Sequence, residues 1–350
     1  MAKIPVKKSK RKVVHDIAVA QRGQVVFYDP VRDGVTFSLL STFRDCREKA
    51  RLYLQGWTAR KSWLATTFGG IVHEIFQIVY TAIRKKELTT FPTDTYITDV
   101  VTSVVERWRL ENPRADAETL QDVEMTMLMC IGVVPMYFRY WFKDFQELQW
   151  EALESEFRVP MAVRSFVTRQ PMQTFLRGKI DGIFKHKKKS GRRMLETKTK
   201  SRIDAGVIAD ILPHELQVNI YMKASKMKTG ENPTGILYNI IRRPQLRQKQ
   251  TETLAQFAAR LVNDVKARPD FYFIRMEMDV DKDDLDKNDG EITDLITDFL
   301  DWWYGRTGHY KNSGHCENKY GTCPMLAICA HGDYTKFTRR ETVFRELEEF

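Results

Sequence analysis

The chain lacks any apolar run approaching the length of a membrane span, so no segment reads as a transmembrane helix. It also lacks a Gly-x4-Gly-Lys-Ser/Thr signature, which excludes a P-loop ATPase within it; a helicase or recombination motor would have to be a separate protein. Cysteine is scarce, with five in 350 residues. An odd count without a signal-peptide pattern argues against disulfides and for a reducing, cytoplasmic compartment. The acidic stretch 279–286 lacks the glycine and the terminal glutamate of an EF-hand loop, so it reads as a solvated helix start. No internal repeat or long low-complexity linker occurs.

What is present is basic and well supplied with core. Hydrophobic residues make up 43% of the chain, enough for one large domain or two moderate ones. The net charge of +10 favours a polyanionic partner. The excess clusters at Lys7-Lys8-Ser9-Lys10-Arg11-Lys12, around 185–202, and at Arg242-Arg243-Pro244-Gln245-Leu246-Arg247-Gln248-Lys249. The first cluster reads as a disordered tail over 1–22 that adds salt-sensitive affinity. Basic runs are commonly solvated surface alone.

Periodicity predicts one helix over 38–60 bearing Cys46 and another over 66–85 bearing His73, whose start Thr66 or Thr67 would cap. Two or three helices follow over 95–149; their aromatics, including Met136–Phe142, read as core. Strands are expected at 152–162, 174–184 and 193–199, then a helix near 213–228 and a strand at 235–241. A helix over 251–267, a strand at 271–276 and a helix over 283–304 complete the pattern. A hairpin followed by strand–helix–strand alternation implies an α/β fold with a mixed central sheet and helices on its faces.

The chemistry concentrates in that hairpin. In Met194-Leu195-Glu196-Thr197-Lys198, alternation puts Glu196 and Lys198 on one face and Leu195 and Thr197 on the other. Phe175–Asp181 reads as the partner strand, which can bring Asp181 beside Glu196 and Lys198. Two carboxylates make a hard-oxygen site suited to Mg²⁺ or Mn²⁺, and a lysine beside them can stabilise charge building on a phosphate ester. Gln217 and Tyr221 share one face of the next helix. Glu156 reads either as a supporting carboxylate or as a solvated strand charge.

The order Asp181, Glu196-x-Lys198, Gln217-x3-Tyr221 resembles the PD-(D/E)XK nuclease superfamily, in particular its RecB-like branch, over about residues 36–80 and 150–335. That resemblance implies a restriction-endonuclease-like fold acting as a DNA exonuclease. It implies catalytic roles for Asp181, Glu196, Lys198, Gln217 and Tyr221. The metal would be held by Asp181, Glu196, the Thr197 carbonyl and His73, which lies in Phe68-Gly69-Gly70-Ile71-Val72-His73; the paired glycines there would let a phosphate approach a helix N-terminus. The implied division is a basic tail (1–22), a nuclease domain (23–335) with a helical insertion near 90–150 and a cysteine segment at 310–332, and a C-terminal tail (336–350). Similar proteins process DNA ends in recombination, repair or phage replication, which makes DNA the expected partner and a nucleoid-associated or phage-encoded setting the expected one.

Four of the cysteines carry a second resemblance. Cys46 far upstream and Cys316-x6-Cys323-Pro324-x4-Cys329 near the end resemble the iron–sulfur nucleases of this branch, including AddB-type and CRISPR-associated exonucleases. There, four thiolates hold one 4Fe–4S cluster that fastens the chain ends around the core. The first C-terminal gap is longer here than in those families. A local zinc site from His315, Cys316, Cys323, Cys329 and His331 is the alternative, leaving a zinc-stapled or non-catalytic DNA-binding subunit. Cys130, in the Met-rich run, reads as a small core residue.

Overall fold

The alternation over 148–200 becomes three long strands in the computed structural model, which describes residues 28–59, 64–113, 115–318, 321–340, 342–344 and 347. The expected basic tail (1–22) and part of the expected C-terminal tail (336–350) lie outside these residues. In chain order the first elements are β1 (Val35–Thr36), α1 (Phe37–Asp45), α2 (Arg47–Leu54), β2 (Trp57–Ala59) and α3 (Leu64–Arg84). A helical stretch follows: α4 (Asp94–Glu111), α5 (Ala117–Tyr140) and α6 (Asp144–Glu147). Then come β3 (Leu148–Arg164), β4 (Pro171–His186), β5 (Arg192–Lys200), α7 (Ala205–Ile211), α8 (Leu216–Thr229) and β6 (Gly235–Arg242). The chain continues through α9 (Leu254–Ala267), α10 (Pro269–Tyr272), β7 (Phe273–Asp279) and α11 (Lys282–Trp303) to a small segment of β8 (Glu317–Asn318), β9 (Gly321–Thr322), α12 (Leu326–His331) and β10 (Phe337–Arg339).

β3 to β7 and β1 form one six-stranded mixed sheet flanked by helices. β3 pairs antiparallel with β4, β4 with β5, and β6 with β7, while β5 and β6 run parallel across the α7–α8 crossover. Two cores result. α1, α8 and α11 bury one sheet face around Ile180, Met194, Tyr238, Ile240 and Phe299. α3, α5 and α9 bury the other around Trp150, Phe184, Leu195, Ile241 and Phe257. Tyr137, Phe138 and Cys130 belong to that second core, where burial pushes the Cys130 thiol far above its usual range.

Three local expectations are corrected. The single helix over 38–60 is two, because Cys46 is extended at φ −163° and breaks it; Thr36 caps α1 by accepting from the Leu39 N–H at 3.2 Å. α3 begins at Leu64, so neither Thr66 nor Thr67 sits at its cap. Gly69 and Gly70 consequently lie inside the helix and not at its N-terminus. A Cβ on Gly69 would come within 2.9 Å of Thr199 Oγ1, so this glycine lets α3 approach β5. The acidic start of α11 is a solvated cap, with the Asp281 carboxylate accepting from the Asp284 N–H at 2.9 Å.

The second core contains a polar ladder. Thr197, Asn239 and Arg275 stand in register on β5, β6 and β7. Asn239 Nδ2 donates to Thr197 Oγ1 at 3.4 Å, and Arg275 Nε donates to Asn239 Oδ1 at 3.2 Å. Arg275 also donates to both oxygens of Asp144, the first residue of α6, and to the Tyr137 hydroxyl at 2.6 Å. Removing one partner of such a half-buried ion pair leaves the other charge without compensation. Arg275→Met is therefore expected to destabilise the fold by about 3–5 kcal/mol, read as a lower urea midpoint at unchanged slope.

Candidate active site

The site sits where two strands part. The β4–β5 ladder ends at the Gly182–Leu195 pair, and the following rung, Asp181 opposite Glu196, carries no backbone pairing. Asp181 Oδ2 accepts the Thr197 N–H at 2.7 Å, so a carboxylate takes the place of the partner strand's carbonyl. That substitution holds a buried carboxylate in the fork without leaving the β5 amide unsatisfied.

Three ligand-type groups meet there. His73, projecting from α3, has Nδ1 3.6 Å from Asp181 Oδ2 and 3.7 Å from Glu154 Oε1. Ligand atoms of His73, Glu154 and Asp181 all lie within 4.8 Å of one another. Glu154 is the residue that sequence reasoning missed. Glu156, read there either as a supporting carboxylate or as a solvated strand charge, is exposed, and its backbone carbonyl accepts from Lys228 at 3.1 Å. Glu154 instead occupies the rung opposite Asp181 with φ +42°, a left-handed conformation costly for a side-chain-bearing residue within a strand. Lys179 Nζ, 3.2 Å away, holds its other oxygen. Of the sequence, only the closely spaced glutamates 151, 154 and 156 hinted at this.

On the adjoining side, Glu196 is 1% exposed and Lys198 Nζ lies 2.5 Å from its Oε1. Glu196 Oε2 is buried and has no hydrogen-bond partner among the described residues. Lys198 also donates to Gln217 Oε1, and Gln217 Nε2 donates to the Tyr221 hydroxyl at 3.0 Å. The Tyr221 ring packs edge-on against Phe157 over Gly178, where a Cβ would come within 2.6 Å of the Phe157 ring. Glycine at that position in β4 is what admits the relay.

The electrostatics follow from burial. Burial drives the Glu196 carboxyl up to about 7, against the pull of Lys198 and with the Asp181 charge adding to it. Burial raises Asp181 as well, opposed first by His73 and reinforced by Glu154. Burial works against the His73 imidazolium, but the charges of Asp181 and Glu154 outweigh it and hold the ring up to about 9. For Lys198 burial again opposes charge, yet Glu196 and Asp181 prevail and raise it, so the side chain stays an ammonium. Three carboxylates, Glu154, Asp181 and Glu196, thus share the pocket with three cationic groups, His73, Lys179 and Lys198.

The structure also brings the four separated cysteines to one neighbourhood. Cys46 Sγ accepts from the Asn312 N–H at 3.4 Å, and Cys316 Sγ lies 4.0 Å from the Asn312 carbonyl. The Cys323 N–H donates to the Cys316 carbonyl at 2.7 Å. Burial raises the Cys323 thiol, and like charge from Cys316 and Cys46 adds to it. Cys323 and Cys329 pack on Leu52, Met325, Ile328 and Phe337. Around them, Arg47 is clamped by Asp298 and donates to the Gly308 carbonyl at 2.7 Å, and Glu48 is 2.8 Å from His309. β10 pairs with β2, so the C-terminal segment closes over the N-terminal one. His315 lies 3.8 Å from Asp45.

No family model matches the chain, and no curated protein matches it. Among solved structures, it is similar to the crystal structure of a candidate exonuclease from Eubacterium rectale, at a TM-score of 0.46 and 11% identity, covering 95% of this chain and 100% of that one. Among the described residues no helix is long and apolar enough to cross a membrane.

Proposed function

We propose that the protein is a metal-dependent DNA exonuclease built on a RecB-like, restriction-endonuclease-type core. The observation that carries this reading is the unpartnered, buried Glu196 Oε2 beside the His73–Glu154–Asp181 group. A buried acceptor without a donor and carboxylates converging at a sheet fork fit a hard divalent cation. Asp181, Glu196, His73 and the Thr197 carbonyl would hold Mg²⁺ or Mn²⁺, and Glu154 joins that set on geometry. The bound ion would supply Lewis acidity toward the phosphate ester and acidify the attacking water.

The chain's own residues do the rest. Lys198 is anchored on two sides, by Glu196 and Gln217, which leaves its remaining N–H free to aim at the reacting centre. Because it stays charged, it orients and stabilises developing negative charge and does not accept the proton. Tyr221 fixes Gln217, and Gln217 fixes the lysine. The cysteine group is read as a 4Fe–4S site: soft thiolates from both chain ends, gathered beside an apolar floor, fit such a cluster.

With no ATPase motor in the chain, a backbone must reach this fork already unpaired or at an end. Linear single-stranded DNA is therefore expected to be degraded with Mg²⁺ or Mn²⁺ and to survive in EDTA. Covalently closed relaxed duplex circles are expected to persist under the same conditions. Gel analysis of end-labelled strands checks this, and equal rates on both substrates would point to an endonuclease.

A further inference from the structure

The carboxyl-terminal edge of β5 and β6 carries arginines that the proposed chemistry does not use. The two strands are parallel and in register, with Lys198 opposite Ile240 and Lys200 opposite Arg242. Lys200 and Arg242 thus stand about 7 Å further along the sheet than the site lysine. The Arg243 N–H donates to the Lys200 carbonyl at 2.9 Å, which ties the two strand ends together. Arg242 donates only to backbone carbonyls, to Phe271 at 2.8 Å and to Ser201 at 3.2 Å. Neither Arg202 nor Arg243 makes a side-chain hydrogen bond or ion pair among the described residues, and no carboxylate there pairs with Arg242. Burial holds both Arg242 and Arg243 below their usual values, with the like charge of Arg268 adding at Arg242.

An aromatic platform adjoins them. Phe271, 40% exposed, has the Arg242 guanidinium 4.0 Å and the Arg268 guanidinium 4.3 Å from its ring centroid. Arg268 is held there by Asp264 through bonds of 2.9 and 2.7 Å. Guanidinium and phenyl planes in contact with solvent are the surfaces on which unpaired bases stack. Half-buried guanidinium groups without counter-ions match phosphate oxygens in shape and charge.

We propose that this edge is the entry track for a single DNA strand: Arg202, Arg242 and Arg243 bind its phosphates, and the Arg242–Phe271–Arg268 stack takes a base. The proposal rests on the nuclease reading and deepens it, because it names which strand form enters and from which side of the fork.

Binding in EDTA separates the track from the cleavage chemistry. Fluorescence anisotropy of labelled oligothymidylate with the full chain, across a salt series, reads affinity and its salt slope. Each phosphate contact to a single strand contributes a slope of about 0.7, so the Arg202→Ala/Arg243→Ala double variant is expected to flatten it by about 1.4. Arg243→Lys should keep its share of the slope, and Arg109→Ala, on α4, should change nothing. Phe271→Ala is expected to weaken binding at least about fivefold with the slope retained. A double variant with the wild-type slope, or the same losses on a blunt duplex, overturns the track. Slope loss in the double variant, beside a wild-type protein that binds but never cleaves with Mn²⁺, would sink the nuclease reading and leave the track standing. Circular dichroism confirms that each variant is folded.

Discussion

Glu196→Ala is expected to lower metal-dependent cleavage of single-stranded DNA by about 10³-fold or more while leaving the protein folded. The change removes a carboxylate whose one oxygen holds Lys198 and whose other is buried without a donor, so the fold loses little and the site loses most. Asp181→Ala and Lys198→Ala should act as strongly. Asp181→Ala additionally strips the Thr197 amide of its acceptor, which predicts a modest stability loss through that amide. DNA affinity in EDTA should persist in all three, since phosphate contacts lie elsewhere. Glu154→Ala and His73→Ala are expected to raise the Mn²⁺ concentration needed for half-maximal activity. A Glu196→Ala protein that cuts at the wild-type rate would remove the fork from consideration.

The cysteines give the second large effect. Cys46 precedes Cys316 by 270 residues, so a shared cluster closes most of the domain into one loop. On the chain-entropy estimate for cross-links, a closure of that span is worth about 5–6 kcal/mol, apart from metal–ligand bonding. Anaerobically purified protein is expected to be brown and to contain iron. Cys46→Ala should bleach it and lower solubility as severely as Cys323→Ala does, whereas Cys130→Ala, in the second core, should leave the colour intact. A colourless preparation holding one zinc and indifferent to Cys46→Ala would replace the cluster with a local knuckle.

What the sequence disclosed and what it withheld divide along physical lines. The hairpin of β4 and β5 and the parallel β6 were legible because period-two alternation and a glycine-bearing turn are local properties. Asp181, Glu196, Lys198 and Gln217 follow from the same locality, each at a fixed distance from the next. Glu154 did not, since strand alternation assumes extended backbone and its φ of +42° breaks that assumption. The break at Cys46 was hidden because the apolar spacing on either side continues through it. The Thr197–Asn239–Arg275 ladder depends on register between strands far apart in the chain, which no local pattern encodes.

That ladder bears on how the protein can be cut and recombined. The helices of 94–147 look like a cassette set between α3 and β3, a natural target for trimming the chain to a smaller catalyst. Asp144, however, ends the ladder from inside the cassette, and Arg275 answers it from β7. Excision would leave a guanidinium facing an apolar sheet surface one strand from Asn239 and two from Thr197. The cassette is therefore not a detachable module: a chimera that exchanges it must carry Asp144 and Arg275 across together, as a matched pair.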